Sequence, residues 1–172
     1  NTRGTIAAPL SDWAFSVAAK WQFSGFNIAG VYERMEYEVL NGTVVNKLKR
    51  GNFWGVDTTI NVGAIGQLFI FYGTASNGSG NAVNTPAPVV TPTSVVTSNV
   101  SRVAGLAKGD QTGDQQWEVS YSYDMSKRTK VYVGYVNIDT DSTATYTFNI
   151  NSYNVSAGGS PGGFVMGMGH SF

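Results

Sequence analysis

Over long stretches of this chain, apolar and polar residues alternate one by one. In "WEVSYSYDMSKRTKVYVGYV" (117–136), Trp117, Val119, Tyr121 and Tyr123 interleave with Glu118, Ser120, Ser122 and Asp124. After a polar gap at 125–130 the alternation returns through Val131, Val133 and Tyr135. Only extended backbone throws successive side chains to opposite faces, so this stretch is a pair of strands with one apolar and one polar face. Two settings accommodate such a pair. In a soluble sheet the aromatic face is core and the polar face is wet. In an outer-membrane barrel the aromatic face meets lipid and the polar face lines water.

The same rhythm recurs in hairpins. "DWAFSVAAKWQF" (12–23) sets Trp13, Phe15, Val17, Ala19, Trp21 and Phe23 against Ser16, Lys20 and Gln22, and only "SG" (24–25) separates it from "FNIAGVYERMEY" (26–37). "NFWGVDTTINV" (52–62) carries Trp54 and Val56 opposite Asp57, and after "GAIG" comes "QLFIFYGTA" (67–75), apolar on both faces and unassignable in orientation. The last run is "GFVMGMGHSF" (163–172). Between hairpins lie longer polar segments: 38–51 with Lys47, Lys49 and Arg50; the Gly/Ser/Thr/Pro-rich 76–114; and 139–162. A long unstructured loop inside a compact soluble fold is uncommon. Tight turns at one end and long loops at the other are the rule in outer-membrane barrels, whose strands of about ten residues cross a bilayer at a tilt. Trp13 and Trp21 lie on one face about 26 Å apart along a strand, which suits one aromatic near each interface.

Composition supports this without deciding it. Charged residues make up 13% of the chain, about half the usual share of a soluble domain, and net charge is zero, so no nucleic-acid partner is implied. The absence of cysteine excludes a disulfide scaffold and thiolate metal sites. No window is apolar enough for a transmembrane helix. The chain starts at "NTRGTIAAPL" without a leader, which points to a removed leader or a non-native start.

The carboxyl-terminal third carries a family resemblance. "YSYDMSKRTKVYVGYVNID", the Gly/Ser-rich "AGGSPGG" (157–163) and the final "GFVMGMGHSF" resemble the end of the general trimeric porins of Gram-negative bacteria, of the type common in beta-proteobacteria. The match is specific from Trp117 to Phe172 and is one of rhythm alone from Asp12 to Ala75. The family often carries Arg at the positions of Gly169 and Ser171, so this last strand lacks positive charge that relatives have. The resemblance implies an all-β fold, a transmembrane antiparallel β-barrel in the cell outer membrane, in a lipid and lipopolysaccharide bilayer. It also implies a homotrimer that forms a water-filled channel for passive diffusion of small hydrophilic solutes and ions. With "SKRT" (126–129) as a periplasmic turn, "SG" and "GAIG" are periplasmic too, and 38–51, 76–114 and 139–162 are outer loops. Residues Phe164, Met166, Met168, His170 and Phe172 then form the terminal insertion signal.

On this reading the whole of 1–172 is one barrel portion. Seven clear strands entered from outside cannot close on themselves, so the chain supplies seven to eight strands of a porin of about sixteen. An amino-terminal half, missing or separate, would contain the constriction loop. The lumen-facing charges expected here are Lys20, Glu33, Asp57, Glu118, Asp124 and Lys130. The lipid-facing girdle comprises Trp13, Trp21, Trp54, Trp117, Tyr121, Tyr123 and Tyr135. Two other readings stay open: a small eight-stranded binding or adhesion barrel, with "TATYTFNIN" (143–151) as the extra strand, and a soluble β-sandwich binding module.

Catalytic chemistry finds little foothold. The single histidine, His170, lies on the apolar phase near the terminus, where an interfacial anchor is the simpler role, so no catalytic residue, cofactor or enzymatic activity is expected. Metal binding is not expected either; the nearest approach is an oxygen-only cation site among Asp110, Asp114, Asp139 and Asp141.

Overall fold

The computed structural model describes residues 11–41, 44–49, 52–81, 108–148 and 155–172. Its strands are β1 (Trp13–Phe23), β2 (Phe26–Asn41), β3 (Val44–Lys49), β4 (Phe53–Asn61), β5 (Gln67–Ala75), β6 (Ser79–Gly80), β7 (Asp114–Ser126), β8 (Thr129–Thr140) and β9 (Gly162–His170). All belong to one antiparallel sheet, in which β1, β2, β4, β5, β7, β8 and β9 follow one another side by side. β3 and β6 continue the β4 and β5 rows outward beside the far half of β2. Among the described residues β1 pairs only with β2 and β9 only with β8, so each leaves one edge unpaired. Among the described residues no helix is long and apolar enough to cross a membrane.

The tight turns are where the sequence places them. Gly25 has φ 93° and closes β1–β2, a conformation that suits a residue without Cβ. Gly66, at φ 129°, ends the 3₁₀ turn Gly63–Ile65; a Cβ there would collide with the Ser122 carbonyl oxygen, so β5 could not start beside β7. At the third turn the Arg128 amide donates to Ser126 Oγ (3.1 Å), just after a register shift between Asp124 and Ser126.

The sheet departs from the sequence expectations at its outer end. Residues 38–51 are mostly not a loop: β2 runs on to Asn41 and pairs with β3. An ion pair stands at the base of this ladder. Glu36 accepts from Lys47 Nζ at 2.7 Å and lies 3.5 Å from Lys49 Nζ, which ties the ladder where a loop was expected. "TATYTFNIN" does not form a strand over 143–148; residues 149–151 lie outside the described residues. Its alternation has no partner: Ala144 is buried under the returning chain, and its amide and carbonyl bond Asp141 and Gly158. β9 ends at His170, leaving Phe172 beyond the ladder.

Direct cross-strand partners share a face, so the register sorts every side chain. The aromatic face runs from Phe15, Val17 and Trp21 of β1 across to Phe164, Met166 and Met168 of β9. It also settles β5: Leu68, Ile70 and Tyr72 join the aromatic face, while Phe69 and Phe71 fall on the polar one. Exposure is inverted relative to a soluble sheet. Along β7, Trp117 and Val119 are exposed (38% and 41%), whereas Gln116, Glu118 and Ser120 are half-buried. On β9 Phe164 and Met166 reach 81% and 78%. Curvature that crowds the polar side chains and spreads the apolar ones has this result. Among the described residues there is one sheet and no second layer over its apolar face, so nothing here favours the sandwich reading.

Candidate functional site: the polar wall and its apolar back

The sequence-predicted charges converge. In register, Lys20, Ala29, Asp57, Phe71, Glu118, Val136 and Gly163 form one row across all seven neighbouring strands of the polar face. Two rows outward, Ser16, Glu33, Phe53, Ala75, Asp114 and Thr140 form another, with Ser16 Oγ donating to Glu33 Oε1 at 3.3 Å. Near the opposite end Lys130 faces Asp124, the two 3.5 Å apart. Asp114 belongs to this wall and was missed in that role. Stepping back by twos from Glu118 would have found it.

Between the two charged rows lies a feature the sequence did not disclose. Gly55 and Gly73 are directly opposite each other, and the rings of Phe53 and Phe71 lie over both. A Cβ on Gly73 would stand 2.8 Å from Phe71 Cζ and 3.1 Å from Phe53 Cζ. The missing side chains therefore leave a hollow that lets two rings lie down against the sheet. Tyr132 similarly covers Gly167.

The back of the wall is aromatic strand by strand. Phe15 touches Tyr32 (centroids 6.5 Å), Trp54 touches Tyr72 (5.6 Å), Trp117 touches Tyr135 (5.3 Å) and Tyr135 touches Phe164 (4.8 Å). Between these contacts, Tyr32 opposes Trp54 and Tyr72 opposes Trp117. One ring per strand thus forms a continuous oblique band across this face. Of the predicted girdle, Trp54, Trp117 and Tyr135 join this band. Trp13 lies beyond it, with the Arg34 guanidinium 5.9 Å from its ring. Trp21, Tyr121 and Tyr123 share the same face nearer the tight turns, where Phe23 and Phe26 stack at 4.7 Å.

His170 stands on that face as well. Its Nδ1 shares a 2.9 Å hydrogen bond with Thr129 Oγ1, and its ring meets Phe172 edge-on at 4.9 Å. Outward of the aromatic band, the Lys47 hydrogen bond holds the Glu36 carboxyl below the usual carboxylate range, with Lys49 adding to it, while Glu36 raises Lys47. The acids weighed as a cation site are not assembled: among the described residues no three potential metal ligands come together. Asp141 Oδ2 instead accepts from the Gly113 amide (3.2 Å), part of a rim network in which Asn77 Oδ1 accepts from the Thr112 and Gly113 amides (2.9 and 3.0 Å).

Comparison with known proteins agrees with this geometry. A family model described as Gram-negative porin matches residues 1–144. That range takes in the amino-terminal hairpins, where the sequence reading found only a shared rhythm. No curated protein matches the chain. Among solved structures, an anion-selective porin from Comamonas acidovorans shares the fold, with a TM-score of 0.62 over 92% of this chain at 17% identity. The chain spans 39% of that porin's length.

Proposed function

We propose, from the premise that the chain belongs to the Gram-negative porin family and so resides in the outer membrane, that its sheet is part of the wall of a water-filled channel. Small hydrophilic solutes and ions diffuse past the polar face, and the aromatic face meets lipid. One observation carries this: along the central strands β4, β5 and β7 the polar side is the more sheltered and the apolar side the more exposed, the reverse of a sheet that folds in water. Lys20, Glu33, Asp57, Asp114, Glu118, Asp124 and Lys130 face the lumen. The unpaired edges of β1 and β9 are unstable in lipid, so further strands complete the barrel, to about sixteen, and the barrels assemble as homotrimers. The connections between β5 and β7 and between β8 and β9 belong to the outer rim. Phe164, Met166, Met168, His170 and Phe172 act as the insertion signal. The protein works by geometry and field, without catalysis or cofactor.

The chain's own charges bear on selectivity. Five carboxylates (Glu33, Asp57, Asp114, Glu118, Asp124) and two ammonium groups (Lys20, Lys130) share the polar face. This wall favours cations, unlike the preference in the Comamonas porin's name, and the net sign is its sum with the wall that closes against it. Reconstitution of the complete porin in planar bilayers tests the reading: stepwise conductance in potassium chloride is expected, and a tight, folded protein that never conducts would overturn it.

A further inference from the structure

We infer that Phe53 and Phe71, laid over Gly55 and Gly73 and flanked by Asp57 and Glu118, form a subsite in the channel wall for organic cations that carry a ring or other flat apolar face. The inference rests on the channel reading and adds a solute class to it.

Aromatic rings on the polar face of such a sheet are out of phase with its pattern, and these two are not there as filler. Phe71 is half-buried and stands directly between Asp57 on β4 and Glu118 on β7, each about 5 Å away backbone to backbone. Neither carboxylate forms an ion pair among the described residues. The nearest cation in the row is Lys20, beyond Ala29 on the far side of Asp57. The Phe53 ring lies over the same two glycines from the next charged row, on the other side of the Gly55–Gly73 pair.

The chemistry selects its own solute. A ring lying against the wall offers dispersion contact to a flat apolar group and a negative face to a cation. Two carboxylates, one strand away on either side, add Coulomb attraction that a purely apolar or anionic solute does not gain. A small inorganic cation uses the carboxylates alone. A charged molecule with a ring uses both.

Planar-bilayer recordings on the complete porin test this. In potassium chloride, benzyltrimethylammonium is expected to lower the conductance by half at a concentration about fivefold below that of tetramethylammonium. Benzenesulfonate, a ring with the opposite charge, should not block in that range. In the Phe71→Leu variant, checked for folding by heat-modifiable migration, the two cations should block equally. Asp57→Asn with Glu118→Gln should weaken both. Equal block by the two cations in the unaltered protein, which needs no variant, or an undiminished preference in folded Phe71→Leu would overturn the subsite while leaving the channel intact. An absence of potassium chloride conductance would overturn the channel reading, and the inference with it.

Discussion

Glu36 shows how much a single residue decides at the outer end. It is 6% exposed, accepts from Lys47, lies 3.5 Å from Lys49, and so sits at the base of the ladder where a stretch that reads as loop forms paired strands. Because its folded-state pKa is lowered, its contribution is fully present above the ordinary glutamate value and fades as pH falls through the lowered one. Lys47 works in the opposite direction: its raised value means that its contribution holds below the ordinary lysine range and is lost only as pH climbs through the raised value. Amide protection along 36–41 and 44–49, corrected for intrinsic exchange, should therefore hold across the neutral range and fall only in acid, below the ordinary glutamate range. Glu36→Gln should flatten that acid limb. An unchanged acid limb in the variant would separate the ladder from the ion pair. Gly134 makes a second residue-scale point. A Cβ there would stand 2.6 Å from Ser120 Cβ and 3.2 Å from Ser120 Cα, so β7 and β8 approach too closely for a side chain. Gly134→Val should lower stability by about 1–3 kcal/mol, read as an earlier urea midpoint in detergent.

At the scale of the element, β9 offers a direct comparison of the two faces. Met166 and Val165 are neighbours in sequence and opposite in direction, one beside Val133 on the apolar side and the other beside Gly134 on the polar side. Arginine at 166 should impair folding into lipid vesicles by about 2–4 kcal/mol, the cost of a charge deep on a lipid-facing strand. Arginine at 165 should be tolerated. Equal tolerance of the two would contradict the assignment of faces. Elements also show where sequence reading succeeds and where it stops. β1, β4, β7 and β8 were legible because Trp13, Trp54, Trp117 and their partners keep strict phase with single polar residues between them. β5 was legible as a strand over 67–75 but not in orientation, since "QLFIFY" is apolar on both sides, and the reason for Phe71 lies in Gly55 on a different strand. β3 was hidden because Lys47 and Lys49 look like loop charges until Glu36 is placed opposite. "TATYTF" tempted only the small-barrel alternative, and over 143–148 it forms no strand. Alternation is necessary for a strand but says nothing of a neighbour to pair with.

For the whole molecule, the open question is what pairs with β1 and β9. Native mass spectrometry of the detergent-extracted complex, followed by denaturation, should reveal additional polypeptide completing each barrel, and a trimer of such barrels. A folded species of this 18.4 kDa chain alone would return the small-barrel reading to favour.

The rim network has one further consequence. Residues 76–81 and 108–114 are fastened to each other before the intervening chain is considered: the Gly109 amide donates to the Gly78 carbonyl at 3.0 Å, the Gly78 amide donates to Thr112 Oγ1 at 2.9 Å, and Lys108 Nζ reaches the Gly80 carbonyl at 3.3 Å. The two ends of 82–107 are thus posts set side by side, and lengthening a chain tied at both ends is cheap, about 0.6 kcal/mol for each doubling. An epitope tag inserted near the middle of that segment should leave the protein folded and be bound by antibody on intact cells. In evolutionary terms, those posts let the sequence between them vary in length while the strands on either side keep their register.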